Sequence, residues 1–78
     1  TNNYTRLELI TTDQPGLLSK IGKLFLKHHF SVTNAKVTTI GSRAEDMFYL
    51  SYQDQASIPI QLQENFLYDL LKLLKQEA

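Results

Sequence analysis

The residues Thr12-Asp13-Gln14-Pro15-Gly16-Leu17-Leu18 join a stretch with the period of a strand to one with the period of a helix, and that switch limits what the chain can become. Upstream, Tyr4-Thr5-Arg6-Leu7-Glu8-Leu9-Ile10-Thr11 is rich in β-branched and aromatic residues and sets Leu7 and Leu9 on one face, as in a half-buried strand. Downstream, Leu17, Ile21, Leu24, Phe25 and His28 recur at helical spacing, with Lys20, Lys23 and Lys27 on the opposite side. Asp13 is the expected N-cap, and Pro15 is expected in the first helical turn, where its missing N–H has no partner to lose. A helix that starts here points backbone N–H groups into the junction, and Gly16 has no Cβ to stand between them and a small anion. The helix dipole contributes about 0.3–1 kcal/mol to a carboxylate in that position, enough to orient an amino acid and too little to hold it tightly. The same residues also serve as plain turn chemistry, so the junction alone leaves a site and a turn both open.

Seventy-eight residues make one domain, 1–78, with a core small enough that a partner surface would help it, and oligomerisation is expected. Eight basic and eight acidic side chains cancel and are scattered, which gives no electrostatic footprint for nucleic acid or an anionic membrane. There is no cysteine, hence no disulfide framework or thiolate metal site, and nothing resembles a signal peptide or an apolar run of about 20 residues. The expected location is the cytoplasm. A chain that begins at Thr1 rather than Met is expected to be a piece of a longer protein.

Residues 30–40 are dense in Val, Thr and Ile and read as a second strand, but Val32, Asn34 and Lys36 share one side, so a bulge or twist is expected near Asn34. Gly41-Ser42 supplies a turn, and residues 44–52 a third strand at hairpin distance. After a break at residues 54–59, Phe66, Leu67, Leu70, Leu71, Leu73 and Leu74 return to a helical period from about Gln61. Asp69, Lys72, Lys75 and Gln76 are left for solvent, and the wide apolar stripe packs on a sheet or also on a partner. The order predicts an α+β fold, a ferredoxin-like βαββα sandwich whose antiparallel sheet carries both helices on one face. Its fourth strand is short or absent, or lies beyond Ala78. If strand one sits beside strand three, the missing strand leaves strand one as an edge open to partners.

Catalytic signatures are lacking: there is no G-x-S-x-G and no P-loop, and Glu45-Asp46, being consecutive on a strand, read as solvated hairpin charges. His28-His29 point about 100° apart on a helix, unlike an i, i+4 metal pair, and read as a helix C-terminus. Phe48, Tyr49 and Tyr52 could serve as the stacking platform of an RNA-binding sheet, but the cations needed for phosphate are sparse and core packing of Phe48 and Leu50 is favoured. Asn34 in mid-strand either satisfies a local backbone group or reaches a ligand.

Taken together, Asp13-Gln14-Pro15-Gly16-Leu17-Leu18, Val32-Thr33-Asn34-Ala35-Lys36-Val37 and Asp46-Met47-Phe48-Tyr49-Leu50 resemble an ACT domain, the small regulatory fold that binds amino acids in metabolic enzymes. The resemblance runs over residues 4–74. Residues 35–50 are similar to the C-terminal ACT repeat of the bacterial PII-protein uridylyltransferase/uridylyl-removing enzymes, a repeat that also tends to end in a helix without a long fourth strand. The resemblance implies pairing with another ACT domain, as a homodimer or with a preceding repeat, and an amino acid held between the first strand–helix loop and strand two of the neighbour. Asp13 would meet the amino group, the backbone at Gln14, Gly16 and Leu17 the carboxylate, and Asn34 would close the site from across the interface. The implied effector is glutamine, and the implied further partner is the PII protein, reached through the parent enzyme. Chemistry would lie in nucleotidyltransferase and phosphohydrolase domains elsewhere in that parent, which would use Mg²⁺. For this chain, no cofactor, catalytic residue, metal ligand, nucleic acid or membrane is expected. A ligand-free pairing module is the alternative to a sensor, and an RNA-binding sheet a more distant one.

Overall fold

A computed structural model describes residues 4–12, 14–53 and 57–77. The elements are β1 (Thr5–Thr12), α1 (Leu17–Lys27), β2 (Phe30–Ile40), β3 (Arg43–Tyr52) and α2 (Ile60–Glu77). They form a three-stranded antiparallel sheet in the order β1-β3-β2, as the chain order predicts. Gly41, at φ 62°, takes the left-handed conformation that a tight hairpin between β2 and β3 requires. Among the described residues no strand lies outside β1 or β2, so both are edges.

Register decides which residues face the helices. Leu7 lies opposite Phe48 and Leu9 opposite Asp46, so the even residues of β3 and the odd residues of β1 share one face. On that face Leu9, Phe48 and Leu50 pack with Leu17, Ile21 and Phe25 of α1 and with Ile58, Phe66 and Leu70 around α2. Arg6, Glu8, Ile10, Glu45, Met47 and Tyr49 alternate onto the other face. An aromatic group closes the core: Phe25 stacks on Phe66 with ring centres 5.4 Å apart, and Phe48 and Phe30 approach these two rings at 5.2 and 5.3 Å.

The expected irregularity in β2 is a bulge. The register with β3 shifts between Val32 and Asn34, and the Thr33 hydroxyl donates to the Tyr49 carbonyl at 3.0 Å, which ties the extra residue down. Only Phe30 of β2 is buried, so beyond its first residue this strand runs largely uncovered by the helices.

Helix α1 begins differently from expectation. Asp13 lies outside the described residues, and the N-cap is Gly16, at φ 80° and ψ −5°, with no side-chain cap. Pro15 therefore precedes the helix instead of sitting in its first turn. The Leu17 N–H donates to the Gln14 carbonyl at 3.2 Å, closing a type II turn with Pro15 and Gly16 at its centre. The reason is conformational: Pro presets φ for the first central position, and the second needs positive φ, which Gly supplies.

Two charges expected in solvent are drawn inward. Asp46 is buried, because strand alternation places it with Ala44, Phe48 and Leu50 on the helix face, while Glu45 is half-buried and pairs with Arg43 at 2.7 Å. Asp69 of α2 accepts from the His28 ring at 2.8 Å, with the Lys27 ammonium 3.5 Å from the same oxygen. His28 is the C-cap of α1, its N–H bonded to the Leu24 carbonyl, so it fixes the end of one helix to the side of the other. At its start, α2 is held to β1 by the Ile58 N–H, which donates to the Thr5 hydroxyl at 2.8 Å, and the Pro59 carbonyl accepts from Leu62 and Gln63.

Two outcomes follow from these contacts. A Cβ at Gly16 would meet nothing within 4 Å, so Gly16→Ala is strained only through the backbone and should cost about 1–2 kcal/mol, a fall of at least about 4 °C in melting temperature. Gly16→Asn should lose clearly less, since Asn visits this conformation, and equal losses would point to a contact instead. The hydrogen bond from His28, aided by Lys27, holds the Asp69 carboxyl below its ordinary value against the opposing effect of burial. Its contribution to stability is then present above about pH 3.9 and is lost as pH falls through the lower folded value. Asp69→Asn should lower the melting temperature at neutral pH and flatten its decline between about pH 5 and 3. Parallel acid slopes in circular dichroism melts of the two proteins would contradict this.

Candidate functional site

The type II turn moves the cap three residues on, from Asp13 to Gly16, and so decides which donors are presented. The Leu17 N–H is engaged by Gln14, and the Lys20 N–H makes the first helical bond, to the Gly16 carbonyl at 3.2 Å. The N–H groups of Leu18 and Ser19 have no acceptor among the described residues, as expected of a helix that has just begun. They border a pocket of about 280 Å³ whose near wall is Gln14, Pro15, Gly16, Leu17, Leu18 and Ser19. Its far wall is Val37 and Thr39 of β2 with Ala44 and Asp46 of β3. The volume is just below the range of about 300–1,000 Å³ typical of ligand pockets, which suits a small solute.

The two walls differ in polarity. The start of α1 offers N–H donors and the positive end of the helix dipole, which favour a carboxylate. Asp46, 5 % exposed, brings a carboxyl group that accepts hydrogen bonds from an ammonium. A pocket with donors on one side and an acceptor on the other matches the two charged groups of an α-amino acid. Leu18 and Val37, both among the exposed large apolar residues, leave the rim greasy and open on the β2 flank.

Of the residues singled out from sequence, Gln14, Gly16 and Leu17 line this pocket, and Asp13 lies outside the described residues. Asn34 is elsewhere: it borders a separate open hollow with Tyr4, Thr33 and Tyr49, and its Oδ1 accepts from the Ala35 N–H at 2.8 Å. Within one chain it therefore satisfies the backbone next to the bulge, and a contact between Asn34 and a junction ligand requires a second domain. Asp46 is the residue the sequence reading missed as a pocket wall. The signal was present in the period-two run of Ala44, Asp46, Phe48 and Leu50, in which the acid keeps the phase of the core. His28 and His29 gather no metal site, and no group of three or more His, Cys, Asp or Glu side chains among the described residues could hold an ion. Among the described residues no helix is long and apolar enough to cross a membrane.

Comparison with known proteins identifies the family. The chain is 52 % identical over 50 residues to the bifunctional uridylyltransferase/uridylyl-removing enzyme of Methylococcus capsulatus, which covers 64 % of this chain and 6 % of that protein. It is 48 % identical over 58 residues to the enzyme of the same name from Legionella pneumophila, covering 74 % of this chain and 7 % of the relative. With the Psychrobacter cryohalolentis enzyme it shares 52 % identity over 56 residues, covering 70 % and 6 %. The chain thus spans only 6–7 % of the length of these relatives. Residues 5–59, more than half of the chain and including both pocket walls, match the ACT domain family, and the chain belongs to that family.

Proposed function

We propose that this ACT domain is an amino-acid sensor, with glutamine as its effector, in a cytoplasmic bacterial enzyme that attaches uridylyl groups to the PII protein and removes them. The observation that carries the reading is the pocket of about 280 Å³ at the start of α1, lined both by Leu18 and Ser19, whose N–H groups have no acceptor among the described residues, and by Asp46. Uridylyl transfer and removal are the two activities in the names of the relatives, and the choice of glutamine and of PII rests on the resemblance of residues 35–50 to the C-terminal ACT repeat of such enzymes. The transfer and hydrolysis, with the Mg²⁺ they would use, belong to the remainder of such an enzyme.

In this reading the ligand carboxylate docks on the Leu18 and Ser19 N–H groups, with Gln14 and the Gly16 turn shaping the wall, and its ammonium turns toward Asp46, with Asp13 as a second acidic partner. A neighbouring ACT domain covers the open β2 flank, where Leu18 and Val37 are exposed and where Asn34 of that neighbour closes the site. Binding regulates the parent enzyme only if the two arrangements of its domains differ in affinity for the ligand, because a ligand shifts an equilibrium by its differential affinity alone.

The test is the melting temperature with and without millimolar glutamine, with other amino acids as controls. Ligand at tenfold its Kd stabilises the folded state by about 1.4 kcal/mol, a rise of several degrees for a domain of this size. Thr39→Glu, an exposed position on the far wall, should abolish that rise while leaving the ligand-free melt within about 0.5 kcal/mol of the parent. An equal response to every amino acid would refute glutamine sensing. So would no response in either this chain or a covalent tandem of two ACT domains, and an assembly unaffected by glutamine would favour a ligand-free pairing module.

A further inference from the structure

We propose that the helix-free face of the sheet is a self-packing surface: two copies of this chain stack face to face about a two-fold axis that crosses the strands between Arg6 and Glu8, so that Arg6 of each lies over Glu8 of the other. The result is four layers, with the two sheets inside and the two pairs of helices outside.

Register defines this face level by level. Arg6, Tyr49 and Asn34 lie side by side across the three strands, and Glu8, Met47 and Lys36 form the next level. Ile10, Glu45 and Thr38 follow on one side, and on the other Tyr4, the residue before β1, meets the Tyr49 ring at 6.3 Å. Both helices pack on the opposite face, and a further strand beside either edge would lie in the plane of the sheet and leave this face as it is. Apolar and charged groups alternate on it. Tyr4 and Ile10 are exposed and Met47 and Tyr49 half-buried, while the ions pair along their own strands, Arg6 with Glu8 at 3.0 Å and Arg43 with Glu45 at 2.7 Å.

Shape and charge select the same axis. Two hollows interrupt the face, one of about 430 Å³ among Tyr4, Thr33, Asn34 and Tyr49, the other of about 180 Å³ among Glu8, Ile10, Lys36, Glu45 and Met47. They lie on opposite sides of the proposed axis, so the rotation sets each over the other and brings the exposed Ile10 of one copy into the space beside Tyr4 and Tyr49 of the second. Met47 then lies over Tyr49, next to the two contacts of Arg6 with Glu8. An axis through either level would oppose Arg6 to Arg6 or Glu8 to Glu8, and an axis along β3 would oppose Glu45 to Glu45 and set each hollow over itself. Moving the axis one level either way sets Glu8 over Ile10 or Arg6 over Tyr4, which buries charge against apolar side chains. Sheets stacked in this way lie about 10 Å apart with strand directions within about 30° of each other, a gap that side chains of this length span. The pocket at the start of α1 opens on the β2 flank, so the stacking leaves it accessible in both copies.

The experiment is sedimentation of the 78-residue chain over a concentration series without amino acids, using the wild type, Met47→Lys, Arg6→Glu, Glu8→Arg and an equimolar mixture of the last two. Met47 is on the central strand, so its substitution alters the face and neither edge of the sheet. Circular dichroism melts confirm that each variant is folded. The wild type should show a reversible monomer–dimer equilibrium, and each variant alone should dissociate at least about tenfold more readily, because like charges then face each other or a cation enters the apolar centre. The mixture should recover heterodimers, since one chain then carries two acids and the other two cations at facing levels. A wild type that stays monomeric to millimolar concentration, a folded Met47→Lys that dimerises like the wild type, or a mixture no more associated than its components would each overturn the proposal.

Discussion

The contact of Phe66 with Phe25 is the joint on which the rest of the molecule depends. Each helix covers part of one sheet face, and the two rings stacked between them turn two separate coverings into one core. Phe48 from the central strand and Phe30 from the start of β2 complete the group, so one aromatic cluster draws a side chain from every element except β1. In a domain of 78 residues few side chains are wholly enclosed, and Ile21 and Leu50 are the largest of them among the described residues. Large flat side chains suit that situation because each buries much area per position and still packs with a preferred geometry. The His28 ring stands edge-on to Phe66 while bonded to Asp69, so the polar clasp between the helices extends the apolar one.

Much of the architecture could be read from periodicity, because period is a local property. The alternation around Leu7 and Leu9 and the 3–4 spacing of Leu17, Ile21 and Phe25 survive folding unchanged, and the sheet order then follows from the hairpin and the crossover. What could not be read depended on neighbours distant in the chain or on a choice between two local solutions. Asp69 looks like a solvent residue on its own helix and becomes half-buried only because His28, 41 residues away, ends the other helix beside it. Asp13 is a good cap by residue type, but Pro15 followed by Gly16 favours a type II turn strongly enough to make Gly16 the cap and start the helix at Leu17. The pocket was legible in its near wall and not in its far one, since a strand residue declares its face only when its phase is compared with the core.

The two flanks of the sheet have different chemistry. On the β2 side, bare strand and exposed Leu18 and Val37 surround a pocket with opposed polar walls. On the β1 side, a regular backbone edge carries one cation and one anion, two residues apart. A small sheet with two unlike edges can meet two unlike neighbours without either displacing the other, which a closed barrel of the same size cannot do.

The bulge at Thr33 acts as a phase correction. Before it, the even residues Phe30 and Val32 align with the helix-facing residues Tyr52 and Leu50, and after it the odd residues Ala35 and Val37 align with Phe48 and Asp46. The strand thus changes parity partway along and still keeps Phe30, Val32, Ala35 and Val37 on one face, while Ile40 turns to the other opposite Arg43. Backbone irregularity in this segment is consequently part of the information: were the bulge ironed out with every residue kept, the register of Phe30 and Val32 would continue and set Lys36 in place of Val37 opposite Asp46, turning a neutral boundary of the pocket into a cationic one without any change of composition.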